Sequence, residues 1–150
     1  MVYMKPYVLF AVVSLLAIVL GSCSTTNNCS SNGNFRIDYY SGGGFTGMQQ
    51  GVTVACEGWA KFWKKMPASK RVTTDSVKLS SNQLKRFESL LDTPAIFSYK
   101  NEYSGNYTTH LVIMKDIQTN NISFNSSNQP SNFPSVVADL ISELKSINKK

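Results

Sequence analysis

Histidine is nearly missing from this 150-residue sequence: His110 stands alone, against nine acidic residues. Acid–base and metal chemistry draw heavily on these types, and the single, scattered placing of Asp38, Asp75, Asp92, Glu102 and Asp116 selects no pair for proton transfer. His110 lies in a strand-like run with no cysteine or acid close by in sequence, which reads as a structural histidine. Cysteine is scarce, three in all, with no Cys-x-x-Cys and no second histidine to complete a ligand set. Structural zinc and a thioredoxin-like redox site are therefore unsupported. No catalytic residue, metal ligand or cofactor is assigned, and the protein is expected not to be an enzyme. Charge is low as well, 16% of residues against roughly 25% in an ordinary soluble domain. Asn, Ser and Thr fill the gap, which suits an exported surface. A hydrophobic run long enough to span a bilayer is also lacking: Val8 to Leu20 is thirteen residues, interrupted only by Ser14. At about 1.5 Å per residue that covers roughly 20 Å as a helix, short of a ~30 Å hydrocarbon core. What is plentiful is apolar surface, 42% hydrophobic and 11% aromatic, enough for a packed core and incompatible with wholesale disorder.

The short run follows Lys5, the only charge before it, and ends in small residues, which is the anatomy of a secretory signal peptide over residues 1–22. Leu20-Gly21-Ser22-Cys23 resembles the lipobox of bacterial lipoproteins. In that family the cysteine thiolate takes a diacylglycerol and becomes the mature N-terminus, which makes Cys23 the expected lipid-attachment residue. An ordinary cleaved signal and an uncleaved anchor are the alternatives. Two or three acyl chains, at about 0.8 kcal/mol per buried methylene, hold a protein stably where a single chain does not. Ser24, where an acid would mark inner-membrane retention in the enterobacterial pattern, points to the outer membrane, facing the periplasm or the surface.

Residues 24–34 hold no hydrophobe except Cys29 and cannot offset their own ordering entropy, so residues 23–34 read as a lipidated cysteine and flexible tether. Eleven such residues reach roughly 15–20 Å, which keeps the folded part just off the membrane. With Cys23 acylated, Cys29 and Cys56 remain in an oxidising compartment, either as a disulfide or as one exposed and one buried thiol.

Residues 35–150 read as a single domain. Phe35 to Ser41 alternates as a strand, with Phe35, Ile37 and Tyr39 on one face. Gly42-Gly43-Gly44 is expected to break it and, with Gly47, to form a wide hairpin turn. Gly51 to Cys56 returns, Glu57-Gly58 turns, and Trp59 to Lys65 is a third strand. Pro67-Ala68-Ser69 turns again into a fourth, Arg71 to Lys78, with Val72, Thr74 and, as a third candidate, Val77 as its strand-forming residues. Ser80 or Ser81 caps a helix over Gln83–Leu91, whose Leu84, Phe87, Leu90 and Leu91 share a face, and Pro94 lies beyond its end. Tyr107 to Lys115 and Asn121 to Asn125 make a hairpin. Val136, Val137, Leu140, Ile141, Leu144 and Ile147 recur at three and four in a last helix. Meander, helix, hairpin, helix is α+β: an antiparallel sheet of four to six strands with two helices on one face.

Two segments stand out as contact surfaces. The Gly42–Gly47 loop has no following Lys-Ser or Lys-Thr and opens no helix, so it is a turn rather than a phosphate cradle, one that presents Phe45. Trp59, Lys61, Trp63, Lys64 and Lys65, with Arg71 near, interleave aromatics and cations. Nucleic acid is excluded by export, whereas anionic lipid or glycan fits the compartment. The plainer reading is an edge hairpin whose lysines block edge-to-edge pairing.

The run Ser41-Gly42-Gly43-Gly44-Phe45-Thr46-Gly47, then Gly51 and Thr53, Trp63, the Leu84–Leu91 helix and Glu102 to Thr108 resemble the small emfourin-like domains. The resemblance spans residues 35–147. It departs in having three glycines where two are usual and an extra strand or two before the first helix. Emfourin inhibits the thermolysin-like metalloproteases called protealysins, so the resemblance implies a non-catalytic protein-binding module with a secreted or periplasmic metalloprotease as partner. It transfers no contact residues. The alternative is a structural envelope lipoprotein that contacts anionic lipid or glycan through the basic-aromatic hairpin.

Overall fold

A computed structural model describes Cys29 and residues 33–128 and 130–147. The expected signal segment, Cys23 and most of the expected tether lie outside the described residues. Nine elements follow in order: β1 (Phe35–Gly43), β2 (Gln49–Ala55), β3 (Trp59–Lys65), β4 (Val72–Lys78), α1 (Ser81–Leu91), α2 (Ala95–Ser98), β5 (Tyr107–Lys115), β6 (Gln118–Asn125) and α3 (Ser135–Ser146). The domain is α+β. Its six strands form one sheet in the order β4-β3-β2-β1-β5-β6, every neighbouring pair antiparallel.

Strand alternation sends one set of side chains to the helices. Ile37, Val54, Ala60, Leu111, Ile113 and Ile122 are fully buried there, against Phe87 and Leu91 of α1, Ile96 of α2, and Val137, Leu140 and Ile141 of α3. Ser80 caps α1 reciprocally with Gln83: the Gln83 amide donates to Ser80 Oγ at 3.3 Å, and the Ser80 amide to Gln83 Oε1 at 3.0 Å. Arg86 Nε lies 2.8 Å from Glu143 Oε2 and ties α1 to α3 across the surface.

Three local expectations need correction. Gly42 and Gly43 extend β1 instead of breaking it, because they pair with Thr108 and Tyr107 of β5. Gly43 takes φ +122°, and a Cβ there would run into the Asn106 carbonyl, so glycine is required at this approach. Val72 lies opposite Lys64 on the helix side of the sheet but is 63% exposed, since it begins the edge strand β4 where no helix covers it. Strand β6 begins at Gln118, three residues early, with Asn120 turned into the core. That amide donates to the carbonyls of Ile96 at 2.7 Å and Tyr99 at 2.8 Å and accepts from Lys100 Nζ at 2.6 Å. It thereby fastens the short α2, which Pro94 begins.

Both sheet edges are blunted against further pairing. On β4 a bulge sets Phe62 opposite Asp75 but Trp63 opposite Thr73. On β6 the chain at 101–103 lies alongside: the Ser123 amide donates to the Asn101 carbonyl at 2.8 Å, and the Tyr103 amide to Ser123 Oγ at 2.8 Å.

Cys29 is joined to Cys56 by a disulfide, with Cα atoms 4.9 Å apart. The bond fixes where the tether meets the domain. Strand directions place this junction, the turn at Glu57-Gly58 and the β5–β6 turn at Asp116-Ile117 at one end of the sheet. The β1–β2 turn, the β3–β4 turn and the start of β5 lie at the other. Strands of seven to nine residues, at about 3.3 Å each, separate these ends by roughly 25 Å.

Candidate functional site: the open sheet face and the distal turns

The face of the sheet away from the helices is built of rows that cross neighbouring strands in register. Toward the distal end, one row in from Thr108, Gly42, Gln49 and Lys65, the residues read His110, Tyr40, Gly51, Trp63 from β5 to β3. The next reads Val112, Asp38, Thr53, Lys61, Ser76, and the third Met114, Arg36, Ala55, Trp59, Lys78.

In the first row Gly51 leaves room for its neighbours, since a Cβ there would collide with the backbone and Cβ of Tyr39 and Tyr40. Over this gap the Tyr40 and Trp63 rings meet at 5.5 Å, and Tyr40 stacks on His110 at 4.8 Å. The Arg71 guanidinium lies 4.0 Å above the Trp63 ring and 5.7 Å from that of Tyr40. Burial raises the Tyr40 phenol above its ordinary pKa, offset in part by the Arg71 cation.

Asp38, 6% exposed, is the hub of the second row. Its carboxylate accepts from Arg36 Nη2 at 3.2 Å, from Arg71 Nη1 at 3.1 Å and from the Thr53 hydroxyl. Thr53 Oγ1 in turn accepts from Trp63 Nε1 at 3.0 Å. A buried charge is tolerated only when paired and hydrogen-bonded in this way. One carboxylate thus sets the position of two guanidinium groups and, through threonine, of an indole.

His110 has its pKa lowered by burial, and Nδ1 is enclosed without a partner. A histidine depressed in the folded state binds fewer protons than the unfolded chain on the acid side of about pH 6.5. Stability is accordingly complete above that pH and falls as the solution is acidified through the lowered folded pKa. Thermal melting at pH 7.5 and 5.0 should show a loss at the lower pH that is smaller in His110→Gln; an equal loss in both would exclude this origin.

The structure sorts the expected contact residues. Trp59 is 40% exposed and Lys61 and Lys64 are exposed, on opposite faces of β3, while Lys65 is half-buried. Trp63, expected as a contact residue, is only 4% exposed because Arg71 lies over it. It supports the surface from beneath. Phe45 is fully exposed at the tip of the β1–β2 turn. Two amides of that turn are engaged internally, Gly47 to the Gly44 carbonyl at 3.3 Å and Gly44 to that of Asn106. Met66, Val72 and Tyr107 are exposed at the same distal end. Among the described residues, one group has metal-type side chains within reach of each other, Cys29, Cys56 and Glu57, and its two sulfurs are bonded together.

Sequence position does not single out Arg36, Asp38 and Tyr40 as part of a site, and it places Arg71 beside the basic-aromatic hairpin without pointing to Asp38. The polar parity of β1 is visible in Arg36-x-Asp38-x-Tyr40, but Arg71 joins it from 33 residues away across a bulge and leaves no local signal.

Fold and surface together define a class: an α+β domain with one sheet face covered by helices, the other open, and exposed apolar side chains among lysines at the end opposite the Cys29–Cys56 junction. Compared with known proteins, the chain matches no family model and no curated sequence.

Proposed function

We propose that this chain is a lipid-anchored envelope protein whose domain acts as a non-catalytic protein-binding module, and that its partner is a thermolysin-like metalloprotease which it inhibits. The observation that carries the reading is the exposure of Phe45, Met66, Val72 and Tyr107 at the end of the sheet farthest from the Cys29–Cys56 junction. Exposed apolar side chains at one end of a domain suit a protein contact, and their distance from the Cys29–Cys56 junction directs them away from the membrane. The lipobox-like Leu20-Gly21-Ser22-Cys23 and the emfourin-like glycine turn supply the anchor and the class of partner. Non-catalytic action fits the state of the polar groups: Asp38 is held by two arginines and His110 is stacked on tyrosine, so neither is placed for proton transfer.

The detergent-purified chain should slow a thermolysin-like protease at stoichiometric concentration, and Phe45→Asp should weaken that inhibition at least tenfold without changing the melting temperature, since Phe45 touches no core residue. No slowing of several such enzymes rejects the protease as partner. A second reading, contact with anionic lipid or glycan through the Trp59–Arg71 hairpin, is favoured by the exposure of Trp59 and Lys61 on the open face.

A further inference from the structure

We propose that the open face of the sheet holds a binding site for an acidic saccharide, with a sugar ring stacked on Trp59 and its carboxylate held by Arg36 and Arg71. The face carries a shallow concavity of about 840 Å³ whose walls include Arg36, Trp59, Lys61 and Arg71 and whose floor includes Thr53 and Ala55. Three features make it a built site rather than a bare patch.

The two guanidinium groups converge because both are bonded to Asp38, whose side chain is 8% exposed, while their own are 48% and 37% exposed. Each spends one nitrogen on that carboxylate in the bonds above, and the planar fork of arginine suits a second carboxylate arriving from solvent. Arg71 is further immobilised by the Trp63 ring, so little side-chain entropy remains to be lost on binding.

Trp59 stands across Ala55 from Arg36 in the third row. The small side chain between them leaves a flat gap bounded by an indole and a cation, and Lys61 and the Thr53 side chain flank it. An aromatic face beside hydroxyl and cationic donors suits a ring that is apolar on one side and polar at its edge.

Charge sets the ligand's orientation. The acids of the rim, Glu57 and Asp116, lie at the tether end, and Asp116 accepts from the Asn34 amide. Away from those acids, Arg36, Arg71 and Lys61 have Asp38 as the carboxylate among them, so an incoming carboxylate is drawn to their side. The choice of a saccharide among anionic ring compounds rests on the envelope reading, and the site itself is independent of any protease.

The test is calorimetric titration of the full chain, in a zwitterionic detergent without a sugar headgroup, with oligogalacturonate as the probe and maltohexaose as its neutral counterpart. Saturable binding of the acidic oligomer is expected, at least tenfold tighter than of the neutral one and weakened by raised salt. Trp59→Ala and Arg36→Gln should each weaken it at least tenfold, with melting curves near that of the parent. Arg36→Gln leaves Asp38 paired with Arg71, and Lys61→Gln, at an exposed lysine, gives a second charge variant expected to weaken binding with an unchanged melting curve. Lys64→Gln, on the opposite face, should bind as the parent does. Absence of saturable binding, equal affinity for both oligomers, or unchanged binding in Trp59→Ala would each overturn the proposal. So would variant-sensitive binding to phosphatidylglycerol vesicles without saccharide binding, which would make the face a lipid contact. Protease inhibition is not read in this assay, so either idea can fail alone.

Discussion

Asp38→Ala is expected to cost the domain about 2–4 kcal/mol, measured by urea unfolding. The substitution removes the common acceptor of Arg36, Arg71 and Thr53 in one step. Breaking a fully buried ion pair costs roughly 3–5 kcal/mol, because a charge is left without a partner in a medium that solvates it poorly. Here the arginines are 48% and 37% exposed and turn partly to water, which brings the cost toward the lower value. The loss reaches beyond the ion pairs. Arg71 covers the Trp63 ring, and without its anchor on Asp38 that ring becomes wetted. A red shift of tryptophan emission should accompany the destabilisation. Asp38→Asn, which keeps an acceptor for Thr53 but loses the charge, should fall between. A loss below about 0.5 kcal/mol in Asp38→Ala, with emission unchanged, would show that the open face is organised by something other than this carboxylate.

Removal of the Cys29–Cys56 bond through Cys29→Ala should cost about 3 kcal/mol. The bond closes a loop over a sequence separation of 27 residues that contains the β1–β2 hairpin, and its absence lets the unfolded chain expand. Because the effect lies largely in the unfolded state, the slope of stability against urea should steepen as the midpoint falls. Cys56 is 5% exposed and its thiol stays packed in the variant, so the core itself is little changed. The tether would then leave the domain at Asn34 without a fixed direction, and the roughly 25 Å between attachment and distal turns would cease to be a constraint. A loss under about 1 kcal/mol with an unchanged slope would contradict this account.

The sequence carries its local structure in a readable form and its long-range structure hardly at all. Helix α3 is spelled out by Val136, Val137, Leu140, Ile141 and Leu144, all buried, because a helix face needs only its own period. The capping box at Ser80 and Gln83 is equally local. The central place of β1, between β2 and β5, depends on a pairing more than 60 residues away, for which no turn sets the register. Asn120 reads as turn chemistry beside Asn121, and only the nearby carbonyls of Ile96 and Tyr99 explain its place in the core. The site follows the same division. Phe45 and Trp59 were legible as exposed aromatics, since a glycine-rich turn and a half-polar strand leave them no cover. Trp63 has the same neighbours in sequence, yet the bulge opposite it carries Arg71 over its ring.

The most direct test of an anchored, oxidised binding module is the intact mass of the detergent-extracted protein with and without reduction. The account predicts residues 23–150 carrying two or three acyl chains, and a gain of about 2 Da on reduction from the Cys29–Cys56 bond. A mass without acyl chains, or one that retains residues 1–22, would contradict the anchor and move the search for the partner away from the envelope surface.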